Sequence, residues 1–533
     1  SIGGKRLLND VSFSLKPSSL TAVVGPSGSG KSTLLSVLSG QRRPTSGSVQ
    51  FAGRDLHQSY EELRTRIGMV PQADLLHTNL KTRRALEYGA ALRLPKDTTK
   101  AERAAKVDQV MADLGLTQRA ELQISRLSGG QKKRASVALE LMTDPELLFL
   151  DEPTSGLDPG LDRQVMNMLR GLADQGHTVV IVTHSTANLD VCDDIVVMAA
   201  GGHLAYCGSP HGVMSALGGS DWADVFDNLE KGVTAAPAAP STSSARTDGA
   251  VKLEAKRRQS LVFQFLQLAK RYVEVIASDR AYLGLMFLLP VLVGSVALMT
   301  GGEFGIGPGD DDSFGLNIDA RSSLLVIILG AVFMGASSAI QEIVKERVIY
   351  ERERATGLSR AAYLASKFVV LAVITTFQSV VFVLIALGTR PLPEEGLWSD
   401  NALVDIVLAV ALLALAASAL GLALSALASS TDVAMPALVV VTMVQVVFSG
   451  AVPLIAEWIL DVFGPINPGY WAMNALASVT DLNELMGYSG DDVVETWEAS
   501  VENLTDGIAV LGVFVAVFLV LAHIVLVVRE RKG

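Results

Sequence analysis

Six stretches of about 20 mostly apolar residues fill the C-terminal half of this 533-residue chain. A helix needs about 20 apolar residues to cross a bilayer, and a bilayer admits only helices or closed barrels, since backbone polar groups must be satisfied within the protein. The sequence therefore predicts an all-α domain of six transmembrane helices over 281–533, with the buried helices of a large soluble protein as the alternative. The six stretches are 283–299, 323–340, 363–387, 403–427, 434–455 and 508–528.

The charged residues between these stretches separate by sign. The connections at 301–320 and 456–506 contain acids but no Lys or Arg, whereas 341–360 carries five basic residues and 529–532 carries three. Basic segments flanking membrane spans collect on the cytoplasmic side, so both ends of the membrane domain are expected in the cytoplasm. This sorting argues against the soluble alternative, and the formal net charge of -11 argues against a nucleic-acid partner.

Ionisable residues are nearly absent from the interiors of the six stretches. Lys367, Asp405 and His523 fall near predicted span ends, and Gln445 is the clearest interior polar residue. A carrier driven by an ion gradient usually has acidic or basic relay residues at mid-membrane. The pattern therefore indicates another source of energy.

Composition divides the rest of the chain into three segments. Residues 1–231 alternate β-branched runs with helical stretches, as expected for an α/β domain. Residues 232–253 are rich in Ala, Pro, Ser and Thr and predict a flexible linker. Residues 254–280 have the spacing of an amphipathic helix that lies along a membrane surface, although an ordinary surface helix fits the same pattern.

A phosphate-binding loop follows the first apolar run of the α/β domain. The motif GxxxxGK[ST] lies between a strand and a helix, the context in which backbone amides and the helix N-terminus cradle phosphate oxygens. We expect Lys31 to contact the β- and γ-phosphates of ATP and Ser32 to contact Mg²⁺. The expected nucleotide-contacting residues here are Gly25, Pro26, Ser27, Gly28, Ser29, Gly30, Lys31, Ser32 and Thr33.

An apolar run at 147–150 ends in two adjacent carboxylates, Asp151 and Glu152. Near a phosphate loop, Asp151 is suited to hold Mg²⁺ and Glu152 to polarise the water that attacks the γ-phosphate. In isolation, an acid pair after a buried strand could also be structural. The two motifs together favour nucleotide hydrolysis.

A third motif, Leu127-Ser128-Gly129-Gly130-Gln131, precedes a helix. After the phosphate loop, it is the second helix N-terminus of the chain that is suited to face phosphate. With it, residues 5–230 resemble ABC nucleotide-binding domains, because the other motifs of that family occur in the family's order: Gln72 after Val70-Pro71, Asp151-Glu152, Ser155-Gly156-Leu157-Asp158 and Thr183-His184. The fold class implied is a P-loop α/β ABC domain followed by a six-helix transmembrane domain.

The resemblance also implies roles for single residues. Gln72 would contact Mg²⁺ and couple the nucleotide state to the membrane domain, His184 would contact the γ-phosphate, and Asp158 would reach across a dimer. In that family the signature residues Ser128, Gly129, Gly130 and Gln131 of one chain close over the ATP held by Lys31 of another. The expected partner is thus a second copy of the chain, giving two composite ATP sites.

The order of the domains narrows the resemblance. An ATPase domain before the membrane domain, with Ala91-Leu-Arg-Leu-Pro95 after Gln72, is similar to half-transporters of the G (White) subfamily. The segment 342–360 resembles their coupling helix, although a solvated basic loop is the alternative. The segments 345–359 and 467–474 resemble actinobacterial members in which phosphothreonine-binding forkhead-associated domains precede the ATPase. That resemblance implies that Ser1 follows a regulatory portion outside this sequence.

We therefore expect an ATP-driven homodimeric exporter in a bacterial cytoplasmic membrane, with the ATPase domain and both termini cytoplasmic. A lipid or other amphiphile, such as a cell-envelope glycolipid, is the expected cargo, since the predicted cavity offers no charged residue. A regulatory or mechanotransmission ATPase that moves no cargo, and an importer, are the alternatives. The family's cavity helices imply candidate lining residues, for which ordinary helix packing is an equal explanation: Phe333, Met334, Met443, Gln445 and Phe448.

Overall fold

The computed structural model describes residues 6–73, 76–231, 259–300, 302–310, 315–393, 395–452 and 455–532. The chain forms two compact units, Ser1–Ser260 and Leu261–Gly533. The predicted linker at 232–253 lies outside the described residues, as do residues 254–258 of the predicted connecting helix.

The first unit is built around a sheet with helices on its connections. Its strands are β1 (Leu20–Val24), β2 (Gln50–Phe51), β3 (Arg54–Asp55), β4 (Ile67–Val70), β5 (Leu147–Asp151), β6 (Thr178–Val182), β7 (Asp194–Ala199) and β8 (His203–Gly208). Its helices are α1 (Lys31–Leu38), α2 (Tyr60–Leu63), α3 (Thr82–Arg93), α4 (Lys100–Asp113), α5 (Gly129–Leu141), α6 (Pro159–Asp174), α7 (Val213–Leu217) and α8 (Trp222–Glu230).

Six strands form one sheet in the order β4-β5-β6-β1-β7-β8. The first five are parallel, and β8 pairs antiparallel with β7. The β1 strand is buried along its whole length, as its continuous apolar run requires of a strand covered on both faces. Since β1, β4, β5 and β6 are parallel, the loops that follow them meet at one edge of the sheet.

The second unit is helical throughout its described regular structure. Its helices are α9 (Leu261–Ser278), α10 (Arg280–Thr300), α11 (Ala320–Ala339), α12 (Arg347–Ala355), α13 (Arg360–Leu387), α14 (Ala402–Leu427), α15 (Thr431–Val447), α16 (Glu457–Phe463), α17 (Pro468–Thr480), α18 (Leu482–Met486) and α19 (Val501–Lys532). Five helical segments in the described residues are long and apolar enough to cross a membrane, and α15, with 17 residues, is a shorter apolar helix. A helical membrane domain is thus confirmed.

The fifth predicted span has different bounds in the structure. We expected it at 434–455, but α15 begins at Thr431 and ends at Val447. The chain then turns through Gly450, which adopts a φ of 85° in the left-handed region that favours glycine. The apolar residues after this turn misled the prediction, because hydropathy does not distinguish a helix from an apolar turn that follows it.

Small residues bring α11 and α14 into close contact at the centre of the second unit. A Cβ atom added to Gly335 of α11 would lie 2.0 Å from the carbonyl oxygen of Ala414 in α14. One added to Gly421 would lie 3.0 Å from the carbonyl oxygen of Ala336. Helices in membranes pack closely where small residues let their backbones approach, so these glycines set the spacing of the two helices.

The connecting helix α9 points two of its polar residues, Gln264 and Arg271, inward. Gln264 is buried and accepts a hydrogen bond from the backbone N–H of Ser359 at 2.8 Å, and Arg271 is buried against Glu353, with one N–O distance of 2.9 Å. The apolar residues Leu261, Val262, Leu266 and Val273 are exposed. This arrangement provides an apolar face of the kind that lies on a membrane.

The charged segment 342–360 is mostly helical and tied down by ion pairs. Lys367 of α13 is buried between Glu346 (2.7 Å) and Glu342 (3.3 Å) of this segment. Arg354 (3.1 Å) and Arg360 (2.6 Å) both pair with Glu530 of α19. The solvated basic loop that we considered from the sequence is therefore not what the segment forms.

Candidate ATP-hydrolysis site

The phosphate loop connects β1 to α1 as the motif predicts. Gly25, Gly28 and Gly30 have φ angles of 153°, 79° and 89°, which other residues rarely adopt. A Cβ at Gly25 would lie 2.2 Å from the carbonyl oxygen of Met198, and one at Gly30 would lie 2.7 Å from that of Leu7. Nothing lies within 4 Å of such an atom at Gly28. The loop is therefore fixed at its two ends and open in the middle.

Lys31 folds back over this loop. Its Nζ donates hydrogen bonds to the carbonyl oxygens of Gly25 (2.8 Å) and Pro26 (2.9 Å). Burial lowers the pKa of Lys31, and the nearby carboxylates of Glu152 and Asp151 oppose that effect. The first N–H groups of α1 have no partners within their own helix. Together with the ammonium they supply the donors that phosphate oxygens require.

Three side chains assigned to hydrolysis come together at the carboxyl edge of the sheet. The Gln72 amide nitrogen donates to Oε2 of Glu152 at 2.9 Å, and Nδ1 of His184 lies 3.3 Å from Oε1 of the same carboxylate. They follow β4, β5 and β6, which are adjacent strands. The sequence placed these residues far apart in the chain, and the parallel strands gather them into one cluster.

Glu152 holds its position through an uncommon backbone conformation. Its φ is 45°, in the left-handed region, and its N–H donates to the carbonyl oxygen of Val182 at 2.8 Å. A residue other than glycine adopts this conformation at some energetic cost, which is often found at functional sites. The bond to β6 thereby directs the Glu152 carboxylate toward the side of His184.

Asp151, one of the residues expected to hold Mg²⁺, lies in surroundings that suit a cation. Burial raises the pKa of Asp151, and the neighbouring Glu152 carboxylate raises it further, while Lys133 and Lys31 lower it by less. A cation would relieve this electrostatic cost. Among the described residues, no group of three or more His, Cys, Asp or Glu side chains could hold a metal by itself. Mg²⁺ is typically bound by one or two protein groups plus phosphate oxygens and water.

The signature residues form the start of α5, where Ser128 and Gly129 are exposed. The side chain of Ser128 accepts a hydrogen bond from the N–H of Gln131 at 3.4 Å, and the Gln131 side chain accepts one from the N–H of Ser128 at 3.1 Å. This capping box satisfies two backbone donors and holds the turn in shape. A Cβ at Gly129 would approach the Leu157 side chain to 2.9 Å, so the turn packs against the loop that ends in Asp158.

Asp158, expected to reach across a dimer, caps α6 in the structure. Its carboxylate accepts hydrogen bonds from the N–H groups of Gly160 and Leu161, each at 3.0 Å. A carboxylate at a helix N-cap satisfies donors that the helix leaves free. The contact across a dimer remains a prediction.

Sequence reasoning missed Lys133. This lysine of α5 is buried, and its Nζ donates to the carbonyl oxygens of Gln72 (2.9 Å) and Pro71 (3.4 Å). The signal in the sequence was its position on the stripe of Gly130, Val137 and Leu141, which is the buried face of α5. A lysine on such a stripe requires a polar partner inside the protein.

The candidate cavity residues fall on different faces of their helices. Met334 is fully buried in the second unit, and Gln445 is 3% exposed with both amide atoms lacking a hydrogen-bond partner in the described part of the chain. Phe333 and Met443 are 38% and 57% exposed. Phe448 stacks on Phe463 with 5.2 Å between ring centroids. Phe333 and Met443 are thus the members of the set with the most accessible side chains.

Two family models match the chain. Residues 8–155 match the ABC transporter model and residues 263–480 match the ABC-2 type transporter model. The two matches fall in the first and second units respectively.

The chain is also similar to two curated relatives and, less closely, to one solved structure. The ABC transporter ATP-binding/permease protein Rv1747 of Mycobacterium tuberculosis is 42% identical over 492 residues, covering 91% of this chain and 57% of that protein. ABC transporter G family member 21 of Arabidopsis thaliana is 37% identical over 245 residues, covering 43% of this chain and 36% of that protein. CbiO1 of Clostridium perfringens, part of the ABC transporter complex CbiONQ, is 29% identical with a TM-score of 0.37, covering 39% of this chain and 84% of that one.

The chain spans little more than half of the mycobacterial relative's length and about a third of the plant relative's. The two family models nevertheless give both domains and their order, with the ABC transporter domain first and the ABC-2 type membrane domain second. The chain therefore carries an ABC transporter domain over 8–155 and an ABC-2 type transporter domain over 263–480, the domain order of a G-type half-transporter, in a multi-pass membrane protein.

Proposed function

We propose that the chain is an exporter of a lipidic or amphiphilic substrate, such as a cell-envelope glycolipid, across a bacterial cytoplasmic membrane. It works as a homodimer with two composite sites for ATP and Mg²⁺, and its ATPase domain and both ends face the cytoplasm. The observation that carries the proposal is the cluster of Gln72, Glu152 and His184 beside the phosphate loop, on the same polypeptide as an ABC-2 type membrane domain.

The form of the signature turn supports the composite sites. Ser128 and Gly129 are exposed, and the capping box keeps the start of α5 ready for a ligand. A helix start of this kind attracts anions through its free N–H groups and its dipole. A second copy of the chain can supply that anion as the γ-phosphate of ATP held on its own Lys31 loop.

The choice of an amphiphilic cargo rests on the character of the second unit. Its exposed large side chains on α11 and α15 are apolar, including Phe333, Val440 and Met443. The charged Lys367 is buried in ion pairs with Glu342 and Glu346. Such a surface suits a molecule with an apolar body, since charged cargo would need a charged or polar partner in the membrane.

Closure of two ATPase domains on ATP would drive the transport step. The segment 342–360 is suited to transmit that motion, because it is tied to α9 through Arg271–Glu353, to α13 through Lys367 and to α19 through Glu530. Elements joined by ion pairs move together more readily than independent helices. ATP hydrolysis would then return the dimer to its starting state.

Reconstitution in vesicles tests the proposal. Fluorescent phospholipid and glycolipid analogues would be followed between leaflets with and without ATP, with Glu152→Gln as the control that binds ATP but does not hydrolyse it. We expect ATP-dependent movement of at least one amphiphile by the parent and none by the variant. Robust ATP hydrolysis with no movement of any amphiphile tested would contradict the proposal and favour an ATPase that moves no cargo.

A further inference from the structure

The signature helix α5 contacts the segment that carries Gln72 at two points. Near its start, the buried ammonium of Lys133 donates to the carbonyl oxygens of Gln72 and Pro71. Near its end, Glu140 accepts a hydrogen bond from the N–H of Met69 at 3.4 Å. One helix thus holds both the end of β4 and the loop that follows it.

The contact near the end of α5 is itself fixed by a buried ion pair. Arg93 of α3 lies 3.0 Å from the Glu140 carboxylate, with side chains 4% and 6% exposed. Arg93 also donates to the carbonyl oxygen of Leu139 at 2.9 Å. A buried carboxylate paired in this way keeps its place, because losing its partner would leave an uncompensated charge. The Glu140 end of α5 is therefore a fixed anchor.

The contact near the start of α5 leads directly to the catalytic cluster. Lys133 holds the main chain of Gln72, and the Gln72 side chain holds Glu152 at 2.9 Å. The path from the ammonium to the carboxylate therefore runs through a single residue. Ser128, which begins the signature turn, lies five positions before Lys133 on the same helix.

We propose that Lys133 is a positioning residue for ATP hydrolysis, which fixes the Gln72 main chain and joins the signature helix of a chain to the hydrolysis cluster of that same chain. The connection between the two ATP sites rests on the proposed homodimer. There the signature turn contacts the ATP of the partner, whereas Gln72 and Glu152 act on the chain's own ATP. Lys133 thereby makes each chain a rigid connection between the two ATP sites.

The chemistry of the contact explains why a lysine stands here. An ammonium offers three donors from a compact head and can reach two carbonyl oxygens at once. Methionine has a similar length and fills the same space, but it leaves those carbonyl oxygens without their donor. Arginine keeps the charge but needs room for a planar group. Lys133→Met therefore removes the hydrogen bonds with little change in volume.

Steady-state ATPase kinetics of the full-length protein provide the first test. For Lys133→Met we expect kcat to fall about 10- to 100-fold, the loss typical of a misplaced catalytic group, with the KM for ATP changing less than about threefold because ATP binding rests on the Lys31 loop. The neighbouring Lys132→Met is the matched control and should keep the parental kcat. A parental kcat for Lys133→Met would overturn the proposal.

A double-mutant cycle separates positioning from general destabilisation. If Lys133 acts through Gln72, then Lys133→Met should lower kcat by less than about twofold when Gln72→Ala is already present, since interacting residues are not additive. The same large fall in both backgrounds would mean that Lys133 supports the fold rather than Gln72, and it would overturn the proposal. A parental kcat for Gln72→Ala would overturn it as well.

The results of the kinetic cycle do not depend on whether the exporter proposal holds. The hydrogen bonds from Lys133 to Gln72 lie within one chain, so the kinetic cycle reads the positioning role whether or not any cargo moves. Failure of the vesicle assay would leave the cycle intact, and an additive cycle would leave the vesicle assay intact.

Discussion

Substituting alanine for Gly335 should destabilise the membrane unit. The new methyl group would lie 2.0 Å from the Ala414 carbonyl oxygen and 2.8 Å from its carbonyl carbon. Both atoms belong to the backbone of α14, so no side-chain rotation can relieve the clash. The methyl group falls 1.4 Å short of the 3.4 Å at which ordinary contact begins, and α11 and α14 must separate to admit it.

The size of the effect follows from that displacement. Overpacking a close-packed interior costs about 1–3 kcal/mol, and the packing lost along two separated helices adds to it. For domains of a few hundred residues, each kcal/mol corresponds to about 2–4 °C in Tm. We therefore expect Gly335→Ala to lower the Tm of the membrane unit by several degrees.

Thermal unfolding of the purified protein in detergent, followed by intrinsic fluorescence, measures this shift. Gly512→Ala in α19 is the matched control, because nothing lies within 4 Å of the added methyl group and alanine is favoured over glycine within a helix by about 1 kcal/mol. We expect its Tm to be unchanged or higher. If Gly335→Ala and Gly512→Ala melted at the same temperature, the close approach of α11 and α14 would be wrong.

Three further predictions concern the first unit. Glu152→Gln should lower kcat for ATP hydrolysis by about 10²- to 10⁴-fold, as expected for loss of a general base, with little change in KM. A phosphate-release assay that gave a kcat within threefold of the parent would refute that role. Burial raises the pKa of the Cys192 thiol to about 12, so the thiolate forms in the folded protein only near that pH. Cys192 should therefore resist maleimide at pH 8 until the protein unfolds. Rapid maleimide labelling of the native protein, read by mass spectrometry, would contradict this. Asp158→Ala should cost about 1 kcal/mol of stability by removing the α6 cap, while Asp158→Asn should cost less, and equal denaturation midpoints for the two variants would count against the cap.

The residues of the hydrolysis cluster were predicted on two grounds: Glu152 follows an apolar run near a phosphate loop, whereas Gln72 and His184 were assigned by the resemblance to ABC nucleotide-binding domains. Once β4, β5 and β6 are parallel neighbours, Gln72, Glu152 and His184 must meet at one edge. The phosphate loop was equally accessible, since its glycines and lysine have fixed spacing between a strand and a helix. Local pattern was sufficient for the phosphate loop and for Glu152, whereas Gln72 and His184 also required the family resemblance.

Other features depend on contacts between distant residues and were out of reach. The contact of Lys133 with the Gln72 carbonyl oxygen depends on β4 lying beside α5, and the left-handed conformation of Glu152 depends on its bond to Val182. Hydropathy could not tell that Phe333 is accessible while the adjacent Met334 is buried, because both are apolar. For the same reason, it could not place the end of α15.

The arrangement of the two ATP sites is the central claim, and two heterodimers of identical composition test it. Co-expression with two affinity tags would yield both heterodimers. The first has Lys31→Met on one chain and Ser128→Arg on the other. The second has both substitutions on one chain and none on its partner. If each site combines the Lys31 loop of one chain with the signature turn of the other, the first heterodimer keeps one intact site and hydrolyses ATP, whereas the second keeps none. ATP hydrolysis by the second heterodimer and not by the first would show that each site lies within a single chain, and it would contradict the account.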